Sequence, residues 1–315
     1  MRILFMGTGE FAVPSLEALL NSRYEVIGVV TQPDRPSGRG RQIDISPVKQ
    51  LAVSHDLPIF QPEKVRTEDF IQTVTKMNPE AIVVASFGQI IPKSILDIPK
   101  FGCINVHGSL LPKYRGAAPV HYALFKGEKT TGVTTMLMDP GLDTGPMLLS
   151  REIEIAPEDN RGTLEAKLAK IGAELLLETL DSLERGTIQA TPQDSSLAVL
   201  APSVKREQCQ IDWSAGAESI ADLVRGCNPR PGAYTTVGDS VLKIWDCRVQ
   251  EAHGKTGEPG EVLESGAGGI VVQAGDGTLL LTEVQPENKK RMMAGEFARG
   301  HQITRIGYHN TRLKS

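Results

Sequence analysis

Cysteine is scarce in this chain. Four thiols, Cys103, Cys209, Cys227 and Cys247, are spread over 315 residues, and no two form a C-x-x-C pair. A zinc framework and a disulfide framework are therefore not expected, and the spacing suits reduced thiols in a cytoplasm. Long apolar runs are missing too. None approaches ~18 residues, so no segment is expected to span a membrane. There is no excess of positive charge: the net charge of −4 argues against a general nucleic-acid coat, though not against a local basic patch. The first apolar run follows directly on Arg2, so no signal or transit peptide is expected. The expected location is a bacterial cytoplasm. Internal repeats and low-complexity tracts are also absent.

What is present is ordinary for a globular protein of two domains, with 40% hydrophobic and 23% charged residues. The first part alternates two textures. Ile3–Met6, Glu25–Thr31, Ala81–Ser86, Cys103–Val106 and Gly132–Met138 read as short buried strands. Ser15–Ser22, Pro47–His55, Glu68–Met77 and Ala117–Phe125 read as helices between them. That order predicts an α/β fold with a doubly wound, mostly parallel, Rossmann-like sheet. A long amphipathic helix over Thr163–Arg185 closes it at Gly186. Residues 187–208 carry prolines and no periodicity, so they are expected to link a catalytic domain (1–186) to a second domain (209–315). From Ala233 onward short strands are cut by glycines, with Gly275-Asp276-Gly277 as a hairpin signal. This predicts a small C-terminal antiparallel β-barrel, OB-like. Residues 205–315 balance 14 basic against 14 acidic residues, and Lys289, Lys290 and Arg291 form a cluster that could meet a polyanion.

Gly7-Thr8-Gly9-Glu10-Phe11-Ala12 fits the dinucleotide fingerprint G-x-G-x-x-A. The second strand, however, ends Val29-Val30-Thr31-Gln32-Pro33, without the carboxylate that would hold a ribose. No nicotinamide cofactor is expected. The turn is read either as a helix N-terminus that meets a substrate phosphate, or as a tight turn that binds nothing.

The densest chemical signal is INVHGSLLPKYRGAAP, residues 104–119. Asn105 and His107 stand two apart at a strand end, so their side chains share a side. A second loop, Met138–Pro146, presents Asp143 between glycines. Each residue alone has an ordinary structural explanation. Together, an amide can donate to a developing oxyanion, an imidazole can move a proton, and a carboxylate can orient it. With no Ser or Cys nucleophile among them, the group suits acyl transfer with the attacking atom supplied by a substrate. No metal site is expected.

These segments, INVHGSLLPKYRGAAP and GLDTG, together with GTGEFAVPSL, TQPDRPSGRGR, IDWS and NPRPGA, resemble the folate-dependent formyltransferases. The resemblance runs from Ile3 to about Val284 and is closest to the branch that acts on aminoacylated tRNA. It implies a formyl group passed from N10 of 10-formyltetrahydrofolate to the α-amine of methionyl initiator tRNA, by an enzyme expected to be a monomer. It implies that Asn105 holds the formyl oxygen, that His107 assists proton transfer, and that Asp143 keeps His107 charged and oriented. Folate would sit against Ser109, Leu110, Leu111 and Pro112 and the loop containing Phe87, Gly88 and Ile90. The arginine-rich loop with Arg35, Arg39 and Arg41 would clamp the acceptor end, with Phe11 near the terminal nucleotide. Lys289, Lys290 and Arg291 would touch the tRNA body. The pattern departs locally at Arg230, where the resemblance implies Trp in many members of the family. Two alternatives stay open: a family member acting on a nucleotide sugar or glycinamide ribonucleotide, and an RNA-binding module on an inactive scaffold.

Overall fold

The computed structural model describes residues 1–37, 42–250, 256–301 and 303–307, which fall into two compact units. The first comprises Met1–Pro119, Thr130–Glu154 and Leu164–Pro202; the second comprises Val120–Lys129, Ile155–Thr163 and Ser203–Ser315.

In chain order the strands of the first unit are β1 (Arg2–Gly7), β2 (Glu25–Val30), β3 (Arg35–Ser37), β4 (Gln42–Asp44), β5 (Ile59–Phe60), β6 (Ala81–Ala85), β7 (Cys103–His107), β8 (Thr130–Leu137) and β9 (Met147–Glu154). β3 and β4 form a separate antiparallel pair. The others form one sheet in the order β5-β2-β1-β6-β7-β8-β9. Its first five strands are parallel, in the arrangement of a mononucleotide-binding half. The helices are α1 (Val13–Leu20), α2 (Pro47–Ser54), α3 (Glu68–Met77), α4 (Lys93–Leu96), α5 (Pro119–Phe125) and α6 (Arg161–Arg185).

The helix ends have local causes. Ser46 caps α2 by accepting from the Lys49 N–H, and Pro47 opens it where no N–H is needed. α3 begins with Glu68 and Asp69 and ends at Asn78 in the left-handed region, φ 48°. Asn160 and Thr163 cap α6 reciprocally, each side chain accepting from the other's backbone N–H.

β8 was expected to continue the parallel sheet, but it runs antiparallel to β7. The helix before it, α5, falls in the second unit from Val120 onward, and an antiparallel pair needs no crossover helix over the sheet. β9, not foreseen, pairs antiparallel at the edge, where only alternate residues need be apolar. One face of the sheet buries Leu4, Met6, Val30, Ile82, Val84 and Cys103 against Phe70, Val74 and Ile95 of α3 and α4. α6 lies on the other face, where Thr179 hydrogen-bonds Thr135 at 2.8 Å.

The second unit is the small antiparallel, OB-like β domain expected. Its strands are β10 (Ala233–Val237), β11 (Ser240–Gln250), β12 (Val262–Gly266), β13 (Gly269–Gln273), β14 (Thr278–Pro286) and β15 (Met292–Met293), with helices α7 (Ala217–Cys227) and α8 (Ala294–Arg299). The strand order is β10-β11-β14-β13-β12, with β15 on β14. Its core holds Ile220 and Val224 of α7 against Leu242, Ile244, Val272, Leu279 and Leu281. Cys209 and Cys227 are buried in the same core.

Candidate active site

β7 positions the first two side chains. Val106 faces α6, since a Cβ on Gly172 would lie 2.8 Å from its Cγ1. Asn105 and His107, one residue to either side, therefore point to the opposite face. They stand at the carboxyl end of a strand, where open α/β sheets present ligands.

Asp143 comes from the 138–146 loop, between β8 and β9. Its Oδ1 accepts from Asn105 Nδ2 at 3.4 Å. Its Oδ2 lies 3.7 Å from His107 Nδ1 and accepts the Gly116 N–H at 2.8 Å. His107 Nε2 donates to the Tyr114 carbonyl at 2.9 Å. The imidazole is 6% exposed and the carboxylate 14%. The structure thus brings Asn105, His107 and Asp143 together.

Two glycines make the approach possible. A Cβ on Gly145 would fall 1.8 Å from the Leu137 carbonyl oxygen, and one on Gly116, where φ is 119°, would fall 2.7 Å from that of Ala201. Asp139 shapes the rest of the loop, accepting from the Gly141 N–H at 3.0 Å and from the Thr144 hydroxyl at 2.6 Å.

One participant had no signal in the sequence. Gln193, inside the stretch expected to be a linker, donates from Nε2 to the carbonyls of Asp143 (2.8 Å) and Gly145 (2.7 Å). Its Oε1 accepts from Nε of the buried Arg115 at 3.0 Å. Nothing in TPQDSSLAVL marks that glutamine out.

Two side chains near the three residues that could act as nucleophiles are otherwise engaged. Cys103, on the same side of β7 as Asn105 and His107, has its thiol pushed up to about 12 by burial. The buried Ser109 hydroxyl donates to the Lys113 carbonyl at 2.6 Å. Among the described residues, no group of three or more His, Cys, Asp or Glu could hold a metal ion.

The loop expected to hold folate is tied to β8. Thr134 donates to the Ser109 carbonyl at 2.8 Å and accepts the Leu111 N–H at 3.1 Å. Leu110 packs over Gly132 of β8, where a Cβ would fall 2.5 Å from its Cδ2, and Leu111 is buried. Phe87 is buried in the sheet core, and its carbonyl accepts from Thr8 and Gln32. Gly88 follows with φ 80°, and Ile90 is 88% exposed.

The expected tRNA contacts are dispersed. Phe11 is buried in a single turn of 3-10 helix, and Arg35 pairs with Glu63 at 3.3 Å on the surface. Arg39 and Arg41 lie outside the described residues. Lys289 and Lys290 are exposed in the second unit, whereas Arg291 stacks 3.5 Å from the Trp245 ring centroid and lies 3.9 Å from Glu283. Two amides of the glycine turn are engaged inside the protein. The N–H groups of Thr8 and Gly9 both donate to the Ser86 carbonyl, at 3.2 and 3.4 Å.

Residues 1–180 match the formyl transferase family, and residues 203–302 match the formyl transferase C-terminal domain. The chain is 51% identical over 303 residues to the methionyl-tRNA formyltransferase of Citrifermentans bemidjiense, covering 96% of this chain and 94% of that one. It is 49% identical over 310 residues to that of Geobacter sulfurreducens, covering 98% and 97%. Among solved structures, the methionyl-tRNA formyltransferase from Clostridium thermocellum aligns with a TM-score of 0.55 at 20% identity, over 81% of this chain and 95% of that chain. HypX from Aquifex aeolicus in complex with tetrahydrofolic acid aligns with a TM-score of 0.66 at 19% identity, over 98% and 51%. At these identities the structural likeness is one of fold.

Proposed function

Because the chain belongs to the formyl transferase family, we infer that it transfers the formyl group of 10-formyltetrahydrofolate to the α-amino group of methionyl initiator tRNA. The folate is a co-substrate and supplies an activated formyl carbon. The amine attacks that carbon, and the carbonyl electron pair moves onto oxygen. When the tetrahedral intermediate collapses, the bond to N10 breaks, N10 gains a proton and the new amide nitrogen loses one. An α-amine near pKa ~8 is already partly neutral at pH 7 and needs no activated protein nucleophile.

In this reading Asn105 donates to the formyl oxygen as negative charge develops there. His107 handles the proton through Nδ1, because its Nε2–H is held by the Tyr114 carbonyl. Asp143 orients both. The observation that carries the reading is that Asn105 and His107 converge on the two oxygens of this one carboxylate.

The pterin rests on the apolar wall of Leu110, Leu111 and Pro112 below Ser109, with Phe87, Gly88 and Ile90 as its second boundary. Phe11, Arg35, Arg39 and Arg41 hold the acceptor end. Lys289, Lys290 and Arg291 contact the tRNA body. Residues 1–186 act as the catalytic domain and 209–315 as the tRNA-binding domain, joined by 187–208. The relatives are bacterial, and no helix among the described residues is long and apolar enough to cross a membrane. We place the enzyme in the cytoplasm, acting as a monomer.

The test is direct. The protein is incubated with 10-formyltetrahydrofolate and methionyl initiator tRNA, with an amino-sugar nucleotide as the competing acceptor. Formylation of the sugar but not of the tRNA would refute the assignment.

A further inference from the structure

Asp143 sits in the left-handed region, φ 51°, which aspartate enters more readily than most residues other than glycine. Its carboxylate accepts the Gly116 backbone N–H at 2.8 Å. The backbone of its loop is held from a different part of the chain. The Gln193 amide nitrogen donates to the carbonyls of residues 143 and 145, on either side of Thr144, and so spans the turn that aims the carboxylate. The orientation of this amide is fixed. Arg115 can only donate, so the atom facing its Nε must be the amide oxygen, and the nitrogen must face the two carbonyls. Arg115 itself is 6% exposed, and its backbone is paired on both sides to Val199 and Ala201, in the strand-like run that follows Gln193.

We propose that Gln193, locked by Arg115, is a positioning residue for formyl transfer that sets the Asp143 loop at its working distance from His107 and Asn105. This rests on the role assigned to Asp143 above. A glutamate at 193 would keep the contact to Arg115 as an ion pair while turning carboxylate oxygens against two carbonyls. It therefore removes the positioning contacts and leaves the anchor.

The test compares Q193E, D143N and the double variant in the full-length protein, measuring kcat, KM for each substrate and the thermal midpoint. Q193E is expected to lower kcat by about 10- to 100-fold, with KM for 10-formyltetrahydrofolate and the thermal midpoint near wild type. In the D143N background the same change should cost little more, since both act through one carboxylate. Wild-type kcat in Q193E, a rise confined to KM, or a loss that multiplies in full with that of D143N would overturn the proposal. Failure of Q193E to fold would assign the amide to stability and overturn it equally. Wild-type kcat in D143N would bring down the reading of the site itself.

Discussion

His107 and Asp143 face each other through Nδ1 and Oδ2, 3.7 Å apart, while the other ring nitrogen of His107 is held by a carbonyl. A carbonyl only accepts, so Nε2 carries a hydrogen, and the ring nitrogen of His107 left to give or take a proton is Nδ1. His107→Ala is expected to lower kcat by about 100-fold or more while the circular dichroism spectrum stays native. Near-normal turnover would remove His107 from the mechanism.

Asn105 supplies the amide. An oxyanion donor is typically worth ~3 kcal/mol of barrier, so Asn105→Ala should slow turnover by about two orders of magnitude. The loss should fall on kcat, because the interaction strengthens only as charge develops. Single-turnover rates at saturating folate would reveal it, and a change seen only in KM would contradict it.

Thr134 holds the 109–112 loop by two hydrogen bonds, one given and one received. Thr134→Val leaves a buried N–H and a carbonyl without that partner, at a cost of about 1–3 kcal/mol each. The variant should melt earlier and show a raised KM for 10-formyltetrahydrofolate, with KM for tRNA nearly unchanged. Titration of folate and tRNA separately would distinguish the two.

Arg39→Ala is expected to raise KM for tRNA or lower turnover while folate affinity stays near wild type. Its contribution should weaken as salt rises, since contacts to phosphate carry that dependence. Equal damage to folate binding would show that the loop has been misread.

His121, in the second unit, has its imidazole held down to about 4 by burial and by the nearby Arg161 guanidinium. In the unfolded chain the ring titrates near ~6.5. Between those values the unfolded state takes up a proton that the folded state refuses. The stability it contributes is full above pH ~6.5 and is lost as pH falls through about 4, on the order of 3 kcal/mol by linkage. Thermal midpoints of wild type and His121→Gln should therefore diverge across this window, with the variant losing less. Parallel curves would count against the shift.

Much of this protein was already written in local pattern. Strand–helix alternation fixed the parallel half of the sheet, because each buried strand needs an apolar run and each helix an amphipathic stripe. The two-residue spacing of Asn105 and His107 placed both on one side of β7, because the strand period is two. What only the tertiary structure decided is the set of relationships between segments far apart in the chain. β8 runs antiparallel to β7, which no periodicity in residues 117–138 records. The amides of Thr8 and Gly9 close on Ser86, a partner nearly 80 residues away. Gln193 reaches the Asp143 loop from a segment without periodicity. A carboxamide's role is set by which carbonyls and guanidinium surround it, and that surrounding exists only after the chain has folded.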